Sequence, residues 1–141
     1  MIAFRVHGNA RPQGSMRAFM RPGARYPVVT HSNPAVLEWR RLIASEAQRH
    51  AGQVMVGPVA VELEFALARP ARMSKLIPAG HTKRPDLDKL IRAVLDACTG
   101  VIWSDDSQVS RIVAVKRYAR GDEAPNMRLV ALFDTPEGGT K

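Results

Sequence analysis

Asp86 and Asp88 stand two residues apart in the run RPDLDKLIRAVLDACTG, and Asp105 with Asp106 follow it in VIWSDDSQV. Carboxylates gathered among Lys83, Arg84, Lys89 and Arg92 are suited to a hard divalent cation, because Mg²⁺ takes oxygen ligands and keeps several of its waters. The surrounding cations would hold a polyanion against that ion. The chemistry this spacing suggests is metal-dependent cleavage of a phosphodiester.

Whether the two aspartates can act together is a question of backbone geometry. On an α-helix, side chains two residues apart diverge by about 200° around the axis, whereas in extended chain they point to one side. Asp86 is therefore expected outside the helix that Asp88 begins or borders. Pro85 agrees, since the residue before a proline is pushed towards extended conformations and the chain should enter the helix from a strand-like approach. A plain structural reading also exists, with Asp86 as N-cap and Asp88 as a first-turn acid beside the positive end of the helix dipole. An isolated DLD before a helix is more often that than a metal site.

Asp88, Arg92 and Asp96 fall at i, i+4 and i+8 on the polar side of this helix, which sets a basic group beside the carboxylates. A salt-bridge ladder accounts for the same spacing. Asp105 and Asp106 lie in a turn leading to a strand, where a strand end could return a third carboxylate to the site. Aspartate is also common in turns, and of two adjacent residues in extended chain only one can face the site, a choice the spacing leaves open. Trp103 beside them is expected to pack rather than stack on a base.

The chain that must position these groups has 141 residues, 45% of them hydrophobic, enough for one globular core. With 21 Lys and Arg against 13 Asp and Glu, a net charge of +8 and a pI near 10.6, its expected partner is polyanionic. Nucleic acid fits better than a membrane surface, because no helix combines a Lys-rich face with an aromatic one. No apolar run approaches the roughly 20 residues of a membrane span and the N-terminus lacks a signal-peptide core, so a cytoplasmic location is expected. The lone Cys98 excludes an intrachain disulfide and falls on the apolar side of its helix. His7, His31, His50 and His81 show no metal-ligand spacing, although His81 could lie near the site, and no nucleophile elbow is visible.

Periodicity predicts an α+β domain with a mixed sheet packed by two main helices. A first strand is expected over Ile2 to Val6, and a hairpin around RPGAR with Phe19 and Met20 before it and Tyr26 to Thr30 after it. A helix should start at Asn33 as N-cap with Pro34 in the first turn, end near Ala51 and Gly52, and bury Val36, Trp39, Ile43 and Ala47. Val59 to Leu67 alternates as a strand. The second helix spans about Leu87 to Ala97, with Leu87, Leu90, Ile91, Val94, Leu95 and Cys98 as its apolar stripe and Gly100 as its C-terminal cap. Val109 to Tyr118 and Met127 to Phe133 read as strands, taken as an antiparallel pair joined by ARGDEAPN. Between the strand at 59–67 and the aspartates runs a long loop rich in Arg and Lys, a length that favours function over passive connection. Residues 1–135 form the expected domain, and 136–141 a flexible tail.

The run KRPDLDKLIRAVLDACTGVIWSDDSQV resembles the signature of the RusA-type Holliday-junction resolvases, short versions of which are carried by bacteriophages and prophages. RPQGSMRAF and AVLEWRRLIASEA are similar to the family's N-terminal half. The resemblance implies a small α+β subunit, a symmetric homodimer, and paired Mg²⁺-dependent nicks, with Mn²⁺ a possible substitute, across a four-way DNA junction. It implies Asp86, Asp88 and Asp106 as metal ligands, choosing the second aspartate of the pair, and Arg92 as the helix-borne catalytic cation where some members carry lysine. Lys89 replaces an asparagine common in the family, and Pro85 interrupts its basic run, so DNA contact there falls to Lys83 or Arg84. The junction backbone would be held by Arg11, Arg17, Arg21 and Arg25 on one segment, by Arg69, Arg72, Lys75, Lys83 and Arg84 on the long loop, and by Lys89. Two alternatives remain: a branched-DNA or flap nuclease without junction preference, and a noncatalytic basic DNA-binding module.

Overall fold

A computed structural model describes residues 1–14, 16–31, 33–73 and 80–135, the two short strands 16–19 and 28–31 as backbone only. The proposed flexible tail 136–141 lies outside the described residues. The elements in chain order are β1 (Ile2–His7), β2 (Met16–Phe19), β3 (Val28–His31), α1 (Pro34–His50), β4 (Val59–Leu67), α2 (Leu87–Cys98), a short 3₁₀ turn (Asp106–Gln108), β5 (Val109–Tyr118) and β6 (Asn126–Phe133). The expected α+β class with a mixed sheet and two helices is the one observed.

Helix α1 begins where Asn33 turns an extended backbone and its side chain accepts from the Ala35 N–H at 2.9 Å, satisfying a donor the first turn leaves orphaned. Val36, Trp39, Ile43 and Ala47 are its buried residues. Helix α2 buries Leu90, Ala93, Val94, Ala97 and Cys98, and the fully buried Leu90 and Val94 each contribute roughly 1.5–3 kcal/mol. Thr99 is its C-cap, and Gly100, expected in that role, follows in the left-handed conformation at φ +84°, which glycine adopts without a Cβ clash.

The main sheet has the order β1-β6-β4-β5. Strand β6 lies antiparallel to both β1 and β4, while β5 runs parallel to β4. The expected β5–β6 hairpin does not form: β4 lies between the two. The reason is burial. In β4 every residue but Glu62 and Glu64 is buried, whereas β5 exposes most of its length, so β4 takes the centre and β5 an edge. ARGDEAPN then crosses the end of β4, where the Ala119 N–H donates to the Leu67 carbonyl at 2.8 Å.

Parallel neighbours need a crossover, and α2 supplies it in a β4-α2-β5 unit. Val59, Val61, Leu63, Phe65 and Leu67 join Trp39, Ile43, Leu90 and Val94 in one core. Trp103 is fully buried and donates from Nε1 to Thr99 Oγ1 at 3.2 Å, so its expected packing role holds. The short strands pair with each other as β2-β3 around the RPGAR turn; they occupy 16–19 and 28–31 in place of the neighbouring residues expected for them.

Candidate active site

The approach to the DLD segment is tied to β5. Lys116 Nζ donates to the Lys83 carbonyl at 2.8 Å and to the Pro85 carbonyl at 3.0 Å. Gly80 bridges to Arg117, and the His81 ring lies 4.4 Å from that of Tyr118. Burial, and then the nearby Lys116 charge, push the His81 pKa down, which favours the neutral imidazole. The Arg84–Pro85 peptide is cis.

From this anchored segment Asp86 enters α2 as its N-cap residue, in extended conformation at φ −70°, ψ 136°. It holds the capping position without capping, for its side chain accepts no hydrogen bond from the first turn. Its carboxylate instead stands 3.7 Å from Lys89 Nζ. Asp88 is the exposed acid of the first turn. The Gln13 N–H donates to the Lys89 carbonyl at 3.0 Å, bringing the N-terminal loop alongside. Between that loop and the helix start is a cleft of ≈ 390 Å³ lined by Pro12, Gly14, Arg84, Pro85, Asp86 and Lys89.

Arg92 is exposed one turn on. Among the described residues no ion pair joins it to Asp88 or Asp96, so the ladder suggested by their spacing does not form. Exposed long side chains gain little from such pairing against their rotamer entropy, and the guanidinium is left facing solvent beside the carboxylates.

The second acidic segment is built differently. Asp105 N-caps the 3₁₀ turn: its carboxylate accepts from the Ser107 N–H at 2.9 Å. That bond, the Ser107 hydroxyl and Asp106 hold its pKa below the usual carboxylate range. Gln108 closes the capping box by accepting from the Ser104 and Asp105 N–H groups, and its amide donates to the Met55 and Gly57 carbonyls at 2.9 and 3.1 Å. Asp106, exposed at the first position of the turn, makes no capping bond of its own.

The two acidic segments do not meet within one chain. Lys116, late in β5, holds the backbone just before Asp86, whereas Gln108, just before β5, holds the backbone just after Asp106 against the chain leading into β4. They lie at opposite ends of the 12-residue helix α2, a span of about 18 Å at roughly 1.5 Å per residue. Among the described residues no three His, Cys, Asp or Glu side chains stand close enough to hold a metal ion. A strand end returning the third carboxylate to the same chain's DLD is thus not observed, because a parallel crossover separates the start of its helix from the start of its second strand.

Of the expected DNA contacts, Arg11, Arg21, Arg25, Arg72, Lys83, Arg84 and Lys89 are exposed. Arg69 is an exception: half-buried, it donates to the Ala119 carbonyl, and its Nε and Nη1 are buried without partners, so it braces the sheet's end. Lys75 and the side chain of Arg17 lie outside the described residues. Sequence reading missed Lys116 and Gln108 as organisers of the two acidic segments. A signal for Lys116 was present: it shares strand parity with Ile112, Ala114 and Tyr118, and parity with the core is unusual for lysine.

A basic α+β domain whose crossover helix starts on two exposed, cation-flanked aspartates, one at an N-cap that makes no cap bond, has the charge arrangement of a protein that handles a polyanion. The comparisons make this specific: the family model Endodeoxyribonuclease RusA matches residues 9–125. The chain belongs to the RusA family of endodeoxyribonucleases. It is also similar to the uncharacterized protein YqaN of Bacillus subtilis (strain 168), at 28% identity over 129 residues covering 84% of this chain and 88% of that protein. Among the described residues no helix is long and apolar enough to cross a membrane.

Proposed function

We propose that the protein is a divalent-metal-dependent, structure-selective endodeoxyribonuclease that resolves four-way DNA junctions by paired nicks, acting as a homodimer. Membership of the RusA family supports the substrate class. The observation that carries the site is the idle N-cap: Asp86 begins α2 without spending its carboxylate on a cap bond, with Asp88 beside it and Arg84, Lys89 and Arg92 around them. A structural aspartate at that position would ordinarily accept from the first turn.

Asp86, Asp88 and Asp106 would hold Mg²⁺; their donor set of hard carboxylate oxygens fits that ion in kind, although one chain presents the DLD pair apart from Asp106. When bound, the ion would supply a polarised water and neutralise charge on the cleaved phosphate. Arg84 and Lys89 line the cleft where a phosphate can approach Asp86, and Arg92 places positive charge where charge develops in the transition state. Arg11, Arg21, Arg25, Arg72 and Lys83 would track the phosphate backbone and set the strong salt dependence of binding.

Cleavage of a four-way junction, a flap and a linear duplex of matched sequence, with and without Mg²⁺, tests the assignment. Preferential symmetric nicking of the junction is expected. Equal rates on all three would make it a general nuclease, and undiminished cleavage by Asp86→Asn and Asp88→Asn would remove the proposed site.

A further inference from the structure

Both helices pack on one face of the main sheet, where they share a core with Phe4, Val6, Leu63, Met127 and Leu129. Strand residues of the opposite parity point away from the helices. On that second face Arg5 of β1 and Arg128 of β6 are direct cross-strand partners, and both are exposed. Like charges set opposite each other weaken a sheet, so the pair calls for a compensating anion.

The sheet's own carboxylates do not supply one. Glu64 is the neighbour of Arg128 on β4, yet it turns to Arg117 at 3.0 Å, and Arg117 also takes Glu123 at 2.7 Å. Glu62 lies one diagonal step away, opposite Val130, and among the described residues no ion pair joins it to either arginine. Arg5 is anchored: its Nη1 donates to the side-chain oxygen of Asn126, which is buried. The Asn126 amide is fixed in turn by donating to the Glu123 carboxylate at 3.2 Å and to the Ala124 carbonyl at 2.9 Å. One guanidinium is thus held in place with donors to spare, and beside it Arg128 is uncommitted among the described residues.

We infer that Arg5 and Arg128 form a clamp for a backbone phosphate of DNA, on the face of the sheet turned away from α2. Two guanidiniums side by side can each offer N–H donors to one phosphate, and the bound anion removes the repulsion between them. A chain of net charge +8 in an endodeoxyribonuclease family meets that group chiefly as nucleic-acid backbone. Helix α2, with Asp86 at its start, lies on the other side of the sheet, so the strand held by the clamp is a different stretch of DNA from the one at the cleft. A branched substrate offers such a second stretch beside the first.

The clamp rests on the nuclease reading above for its ligand, and binding measured without metal separates the two. In EDTA, the Arg5→Gln/Arg128→Gln double variant should bind junction DNA about three- to tenfold more weakly than wild type at low salt. The slope of log affinity against log salt should become shallower by about 0.9, the share of one phosphate. Arg128→Glu should also weaken binding, and it should raise the melting temperature, because a carboxylate opposite Arg5 exchanges repulsion for attraction. Unchanged DNA affinity and slope in both variants would overturn the clamp. So would weaker binding accompanied by a lower melting temperature in Arg128→Glu, the mark of an arginine that only supports the sheet. Titration with inorganic phosphate decides the source: phosphate binding lost in the double variant, with DNA affinity intact, would overturn the assignment to DNA. A wild type that binds DNA through the clamp but makes no nick with Mg²⁺ would sink the nuclease reading and leave the clamp standing.

Discussion

Lys116 Nζ, on the edge strand β5, donates to the carbonyl of Pro85, the residue immediately before Asp86, at 3.0 Å. Its second bond, to Lys83, makes the ammonium a clamp on the backbone that delivers the first aspartate. The same group is a positive charge near the site, yet its bonds go to carbonyls rather than carboxylates.

Lys116→Met should therefore act chiefly by loosening that delivery. Two charge-assisted bonds at a partly exposed site suggest a stability loss of about 1 kcal/mol, with a larger effect on cleavage through weaker Mg²⁺ dependence. Thermal denaturation and a Mg²⁺ titration of nicking rate check this; an unchanged half-saturating Mg²⁺ concentration would leave Lys116 a purely structural residue.

Gln108 spends both ends of its amide on the acidic turn and the entry to β4. Gln108→Glu keeps the acceptors but loses the donors to the Met55 and Gly57 carbonyls and sets a charge against them. It should cost more than Gln108→Ala, and either about 1 kcal/mol or more, since the half-buried Met55 carbonyl loses its donor and the turn its brace. Chemical denaturation of both variants distinguishes this from a surface glutamine, for which both changes would lie within about 0.5 kcal/mol.

Asp105 and Asp106 are neighbours with different employment. Asp105→Ala removes a cap and should lower the melting temperature while retaining most activity. Asp106→Asn should leave the melting temperature in place and abolish cleavage. The reverse pattern in parallel melting and nicking assays would exchange their roles.

Arg117 joins Glu64 and Glu123 at the end of the sheet, at 3.0 and 2.7 Å. Its guanidinium is the main reason the Glu123 pKa falls from 4.5 to about 2. A depressed folded-state pKa contributes stability that is present above the unfolded value and lost as the pH falls through the folded one. Stability should accordingly decline between about pH 4.5 and about pH 2, and Glu123→Gln should flatten that limb relative to wild type. Urea unfolding at a series of acid pH values measures it; parallel curves would show that the triad is not the source.

The elements were largely legible because local rules dictate them. Asn33-Pro34 caps a helix in any context, the stripe from Leu87 to Cys98 admits one periodicity, and the alternation at 59–67 admits another. Asp86 outside the helix also followed from local geometry, through the divergence of i and i+2 side chains on a helix. What failed was pairing: β5 and β6 look like a hairpin because they are adjacent in sequence, and only the competition for burial, won by β4, sets them apart.

The sequence by itself determined the chemistry on offer: two acidic motifs, a basic surface, and the helix on which one motif begins. The tertiary structure decided where the motifs stand. A parallel β4-α2-β5 crossover puts the start of its helix and the start of its second strand at opposite ends, about 18 Å apart for a helix of this length. Spacing along a chain carries no record of that separation. It arises only once β4 claims the centre of the sheet and leaves β5, with its acidic turn, to run parallel beside it.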